Sequence, residues 1–172
     1  MIYPFLMLKT TYTAVAMVLM TLPAQQAWSK GMYNPEQKKK DQIERLENQA
    51  TELVKPACQY DLKFQILWES YTPSKMYDPE PQNWSIAQSG EKVIEALGNI
   101  CQSSAALATK VRQNLKTLAI QFGGTKGDSR ITLAGSTLTL SLAYEPLSDG
   151  RAEAPHVSSS ELEESLRKIL RR

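Results

Sequence analysis

The chain carries two cysteines, Cys58 and Cys101, and their placement constrains the fold more than any other feature. Cys58 heads the stretch Cys58-Gln-Tyr-Asp-Leu-Lys-Phe-Gln-Ile-Leu-Trp68, in which Leu62, Phe64, Ile66 and Trp68 alternate with Lys63, Gln65 and Leu67. A period of two is the mark of a half-buried strand, so residues 61–69 read as the central strand. Cys101 closes an apolar stretch with helical spacing. A Cys58–Cys101 bridge would tie that strand to the main helix. It would close a loop of about 44 residues and stabilise the fold by roughly 4 kcal/mol in the chain-entropy model. A metal-binding or redox pair of thiols is the alternative, but it lacks a C-x-x-C spacing and a nearby histidine.

A disulfide presupposes an oxidising compartment, and the first residues point to one. Lys9 precedes the apolar run Ala14-Val-Ala-Met-Val-Leu-Met20, which ends near Leu22-Pro23. Ala27-Trp28-Ser29 then offers small residues for cleavage after Ser29, with Ala27 and Ala24 as other cleavage points. Residues 1–29 are therefore read as a signal peptide, with Met7 as a second candidate start. The apolar run is shorter than the roughly 20 residues of a membrane span, so an uncleaved anchor is the weaker reading and no stable span is expected after removal. The expected location is exported, periplasmic or secreted. The remaining residues, 30–172, have the length of a single domain.

Excising that segment removes one basic residue from the 20 basic and 18 acidic ones, so the charge stays near neutrality. Nucleic-acid binding normally shows a basic patch or stripe, and none is evident. The run Lys38-Lys39-Lys40 is followed at once by Asp41 and Glu44, the pattern of a solvated helix face.

Asn34-Pro35-Glu36 reads as a helix start, with Ile43, Leu46, Ala50 and Leu53 as the apolar stripe and Pro56 as the stop. Beyond the first strand, residues 70–85 hold Pro73, Pro79 and Pro81 together with Tyr71, Tyr77 and Trp84. Prolines forbid a regular element there, and loops this long are often functional. In one reading the loop presents Tyr71, Tyr77 and Trp84, with Asp78, as a binding surface. In the other, its aromatic side chains tuck back to cover the core. Ser85-Ile-Ala-Gln88 has capping-box spacing and opens a helix through Val93, Ile94, Leu97, Ile100 and Cys101. Gly90 and Gly98 weaken it, and a break near Gln102 leads to a second helix through Leu107, Val111 and Leu115.

The strand period returns at Leu118, Ile120 and Phe122, then at Ile131 and Leu133, and most clearly at Leu138, Leu140, Leu142 and Tyr144. Glycine-rich turns at 123–129 and 135–136 predict an antiparallel meander of these three strands. A last amphipathic helix follows with Leu162, Leu166, Ile169 and Leu170. The fold class predicted is α+β: two layers, a mostly antiparallel sheet of about four strands, helices packed on one face, and one disulfide.

Several stretches together resemble small exported bacterial proteins of unassigned function with paired cysteines. They are Cys58 ahead of a strand ending in Trp68-Glu-Ser, Val93-Ile-Glu-Ala-Leu97 with Cys101, Phe122-Gly-Gly, and Gly135-Ser-Thr-Leu-Thr-Leu140. The resemblance spans roughly residues 57–170. It implies the compartment and the α+β arrangement, and carries no activity and no site.

Catalytic parts are hard to assemble from what remains. His156 is the single histidine, lies in a Pro- and Ser-rich loop, and has no G-x-S-x-G elbow to act on. Gly123-Gly-Thr-Lys-Gly-Asp lacks the order of a phosphate loop and precedes a strand. No metal-ligand cluster and no cofactor motif is seen. The function expected is non-catalytic binding of another envelope or secreted protein, of inhibitor, immunity or assembly type. The alternative is a small envelope hydrolase using a carboxylate pair drawn from Glu69, Asp78 and Glu80. A small-ligand carrier would need a dry pocket between sheet and helices, for which the sequence offers no sign.

Overall fold

The computed structural model describes residues 34–71, 81, 84–124, 129–146, 152–153 and 159–171. The expected signal segment, Tyr77, Asp78, Glu80 and His156 all lie outside the described residues.

Helix α1 runs from Pro35 to Cys58. Its start is built as the sequence predicts: the Asn34 side chain accepts a hydrogen bond from the Glu36 N–H at 3.0 Å, and Pro35 occupies the first turn. Its end is not. The helix continues past Pro56, and Gln59 closes it in the left-handed conformation at φ 57°, donating its N–H to the Lys55 carbonyl. Proline in the last turn removes one helical hydrogen bond without ending the element. Cys58 is thus the last residue of a helix rather than the head of a strand.

The disulfide Cys58–Cys101 is present, with an S–S distance of 2.05 Å and Cα atoms 5.2 Å apart. It joins α1 to α2 (Ile86–Ser103), the most buried helix. Ten of the 18 residues of α2 are buried, because α1 packs on one flank and α4 (Ser159–Arg171) on the other. Gly90 lets α1 and the sheet close on α2: a Cβ there would stand 2.7 Å from both Leu46 Cδ2 and Ile120 Cδ1. The glycine that weakens the helix in isolation permits its packing. The helix starts at Ile86, without a side-chain cap from Ser85, and its first turn is capped from outside, where Gln42 of α1 accepts the Ala87 N–H at 2.9 Å. Arg45 and Glu91 form a two-point ion pair across the same interface.

Ser104 breaks the chain between α2 and α3 (Ala105–Asn114), accepting the Leu107 N–H on its hydroxyl. In α4, Leu162, Leu166 and Leu170 face inward, each contributing roughly 1.5–3 kcal/mol of burial.

The main sheet has four strands: β1 (Lys63–Ile66), β2 (Thr117–Gly124), β3 (Arg130–Ala134) and β4 (Thr137–Ala143). A two-stranded pair, β5 (Glu145–Pro146) and β6 (Ala152–Glu153), stands apart from it. The α+β class, the strand number and the disulfide agree with the sequence. The strand senses do not. The order is β1-β2-β4-β3, with β1/β2 and β2/β4 parallel and only β3/β4 antiparallel.

Two physical reasons account for this. The crossover through α2 and α3 returns β2 in the sense of β1. β4, whose Leu138, Leu140 and Leu142 are almost wholly buried, takes the interior place beside β2, leaving the half-buried Ile131 and Leu133 on the edge. The tight turn survives as the β3–β4 hairpin, where Gly135 takes φ 58°, as a primed two-residue turn requires. The strand expected at the centre, β1, is an edge strand four residues long.

Face assignments follow the predicted alternation. Across the sheet, Phe64, Leu118, Leu138 and Leu133 form one row and Ile66, Ile120, Leu140 and Ile131 the next, all turned to the helices. Lys63, Gln65, Thr117, Gln121, Thr137, Thr139 and Ser141 occupy the other face. There Gln121 donates to the Ser141 hydroxyl at 2.9 Å.

Candidate functional site

The three parallel strands end on the same side of the molecule, and their carboxyl ends converge on a set of aromatic rings. The Leu67 N–H still bonds the Ile120 carbonyl at 2.9 Å, after which residues Trp68–Ser70 curl into a 3-10 turn. Ser70 fastens that turn to β2: its hydroxyl donates to the Leu67 carbonyl at 2.6 Å and accepts the Phe122 N–H at 2.9 Å. Immediately beyond, β2 bulges at Gly123, so that Phe122 pairs with Leu142 while Gly124 pairs with Ala143. A Cβ on Gly123 would approach the Ser141 carbonyl carbon to 3.0 Å, so the close passage of β4 requires glycine. The first two glycines of the stretch read as a turn therefore belong to a strand, and residues 125–128 lie outside the described ones.

Tyr71, Trp84, Phe122 and Tyr144 fill the space so created. Trp84 and Tyr144 have ring centroids 5.0 Å apart, and Tyr71 meets Trp84 edge-on at 5.6 Å and Phe122 at 5.9 Å. Such contacts add about 0.5–1.5 kcal/mol per pair to area burial. Burial pushes the Tyr71 and Tyr144 hydroxyls well above the ordinary phenol range; their proximity raises Tyr71 further and offsets part of the rise in Tyr144.

Two of the predicted binding residues are thereby relocated. Tyr71 is 4% exposed and Trp84 7%, and both belong to the hydrophobic core. Neither offers a ring to solvent, because the turn at 68–70 and the start of α2 draw them onto the ends of β2 and β4. Tyr77 and Asp78 lie outside the described residues. Of the carboxylates considered for hydrolysis, Glu69 is exposed on the 3-10 turn, and Asp78 and Glu80 are not described. Among the described residues, no group of three or more histidine, cysteine or acidic side chains could hold a metal ion. No helix among them is long and apolar enough to cross a membrane.

Trp68 is one of the partly buried aromatics, with Tyr60, Phe64 and Phe122. It touches the cluster through Tyr71, at 6.2 Å, and is only half-buried. Its ring turns toward the outer flank of α1, where Lys39 Nζ stands 5.7 Å from the ring centroid, within cation–π range. Lys39 also pairs with Glu36 at 2.8 Å. Between that flank and Trp68 lies an open groove of about 710 Å³, with Ile43 and Trp68 as its apolar floor and Glu36, Lys40, Glu44 and Glu47 along its rim. A smaller cleft of about 260 Å³, between Asp41, Gln42 and Arg45 of α1 and Ser85 and Gln88, opens over Trp84.

The sequence pattern concealed the Trp68 groove. Trp68 continues the Leu62, Phe64, Ile66 alternation and so reads as core, and Ile43 reads as the first residue of the α1 stripe. The available signal was the tandem of two ends: a tryptophan at the end of an edge strand, opposite the first turns of a helix longer than the strand it covers.

Comparison with protein-family models, with curated proteins and with solved structures found no match to this chain.

Proposed function

We propose that the chain is an exported, non-catalytic protein of the cell envelope that binds another protein, with the Trp68 groove as its contact surface. The observation that carries the reading is the partly exposed Trp68 lining an open groove with Ile43, ringed by charges of both signs. An aromatic anchor in an apolar patch with a polar rim is the usual anatomy of a protein contact. The disulfide supports an oxidising compartment. The near balance of charge favours a protein partner over nucleic acid.

The test is capture from native envelope extract with oxidised residues 30–172 as bait, beside the Trp68→Ala, Ile43→Ser double variant. One stoichiometric partner, lost with the variant while the thermal unfolding of the bait stays cooperative, is the expected result. A partner held equally by both baits would remove the groove from the account. Absence of any partner would remove the binding class.

A further inference from the structure

Resting on the protein-binding reading, we infer that the groove takes its partner as an added strand: an extended segment, apolar at alternate positions and carrying basic residues, that pairs with the outer edge of β1. The hydrogen bonds of β1 fix which backbone groups face outward. Lys63 donates to the Lys116 carbonyl at 3.1 Å and Leu67 to the Ile120 carbonyl at 2.9 Å, so residues 63, 65 and 67 turn their amides to β2. In a parallel ladder the alternate residues, Phe64 and Ile66, then direct their N–H and C=O groups away from the sheet. Among the described residues no strand pairs with that edge.

The groove lies where such a strand would run. α1 leads into β1 through only four residues, so its early turns return to the carboxyl end of the strand. Gln42, Arg45 and Leu46 face α2, as the Gln42–Ala87 bond, the Arg45–Glu91 pair and the approach of Leu46 to Gly90 show. Lys40, Glu44 and Glu47 project from the opposite flank, beside the β1 edge, above Trp68. A strand entering there would set its inward side chains against Ile43, Phe64 and Trp68, which the fold leaves partly exposed. Its other face would continue the polar row begun by Lys63 and Gln65. Strand addition of this kind takes affinity from backbone pairing and specificity from side chains at alternate positions. The charge preference follows from Glu36, Glu44 and Glu47 on the rim and Glu69 on the adjoining turn, against Lys39 and Lys40.

A synthetic peptide serves as probe: acetyl-Lys-Val-Thr-Val-Thr-Val-Lys-amide, with one version carrying proline for the central valine and one carrying glutamate for both lysines. Amide hydrogen exchange of the oxidised protein is followed residue by residue. The inference expects exchange at Phe64 and Ile66 to slow at least tenfold with the parent peptide, and the proline and glutamate versions to bind at least tenfold more weakly. Exchange at Phe64 and Ile66 unchanged at millimolar peptide, or protection kept in full by the proline version, overturns it. These results are separable from the capture experiment. A captured partner lost with the Trp68 variant, together with unprotected Phe64 and Ile66, would leave the groove reading standing and strand addition refuted.

Discussion

At the amino-terminal ends of β1 and β2 the fold is closed by a covalent bond, Cys58–Cys101, whereas at their carboxyl ends it is closed by the rings of Tyr71, Trp84, Phe122 and Tyr144. Helix α2 spans the two, entering beside Trp84 and leaving at Cys101. The bond acts chiefly by restricting the unfolded chain and asks little of its surroundings. The rings act only while packed, and packing extends as far as neighbours cover them. Trp68 marks where that coverage ends. Two tryptophans thus flank one cluster: Trp84 is consumed by the core, while Trp68, only partly buried, touches it through Tyr71 and lines the groove.

Removing a ring from the closed end should be the most damaging change. Trp84→Ala empties a buried site, and truncation of a buried tryptophan costs about 3–5 kcal/mol. The urea midpoint of the variant should fall accordingly. A loss below about 1 kcal/mol would mean that the ring cluster does not hold this end.

The cystine comes next. Replacing both Cys58 and Cys101 by alanine should lower stability by about 2–4 kcal/mol, with the circular dichroism of the native fold retained at low temperature. An unchanged melting temperature, or two free thiols in the wild-type protein, would contradict the closure assigned to the amino-terminal end.

Alkaline pH probes both ends at once, because Tyr60 follows Cys58 while Tyr71 and Tyr144 sit in the ring cluster. Burial holds all three phenols above their ordinary value. A phenol whose folded pKa is raised stays neutral in the fold after its unfolded counterpart has begun to ionise. Their contribution is therefore full below about pH 10, the ordinary phenol value, and is lost as pH rises beyond it toward the folded values. The urea midpoint should be flat from pH 7 to about 9.5 and drop above pH 10. Tyr60, Tyr71 and Tyr144 should ionise at 295 nm only with unfolding. Their titration near pH 10 in a folded protein would refute their burial.

The smallest effect on stability belongs to Trp68→Ala. Part of that side chain is already exposed, so a cost of about 1 kcal/mol is expected, against the several predicted for Trp84. A cost equal to that of Trp84→Ala would erase the distinction between the two tryptophans.

These contrasts also mark what the residue order reveals. The two cysteines, the cap at Asn34-Pro35 and the alternation in β4 each carry a local or covalent signal, and the elements they predict are present. The strand order carries no such signal. Periodicity states which face of β2 or β4 is buried but not which strand lies beside it, and β4 enters the interior because three leucines outcompete the two apolar residues of β3. Pro56 misled because its cost depends on position: within a helix it breaks the ladder, and in a last turn anchored by Cys58 it does not. For the site, the residue order sets Trp68 in a strand alternation and Tyr71 and Trp84 on a Pro-rich stretch, which suggests the reverse of their observed burial. Their difference arises from tertiary coverage, since β2 and β4 extend beneath Tyr71 and Trp84 and stop short of Trp68.

The central claim is that the Trp68 groove, at the end of the fold closed by rings, is the binding surface. The most direct test is the affinity of the captured partner for the wild-type protein and for Trp68→Ala, with thermal unfolding recorded on the same samples. The account predicts at least a tenfold weaker affinity for Trp68→Ala, with a melting temperature lowered by only a few degrees. Equal affinity for the two proteins would contradict it.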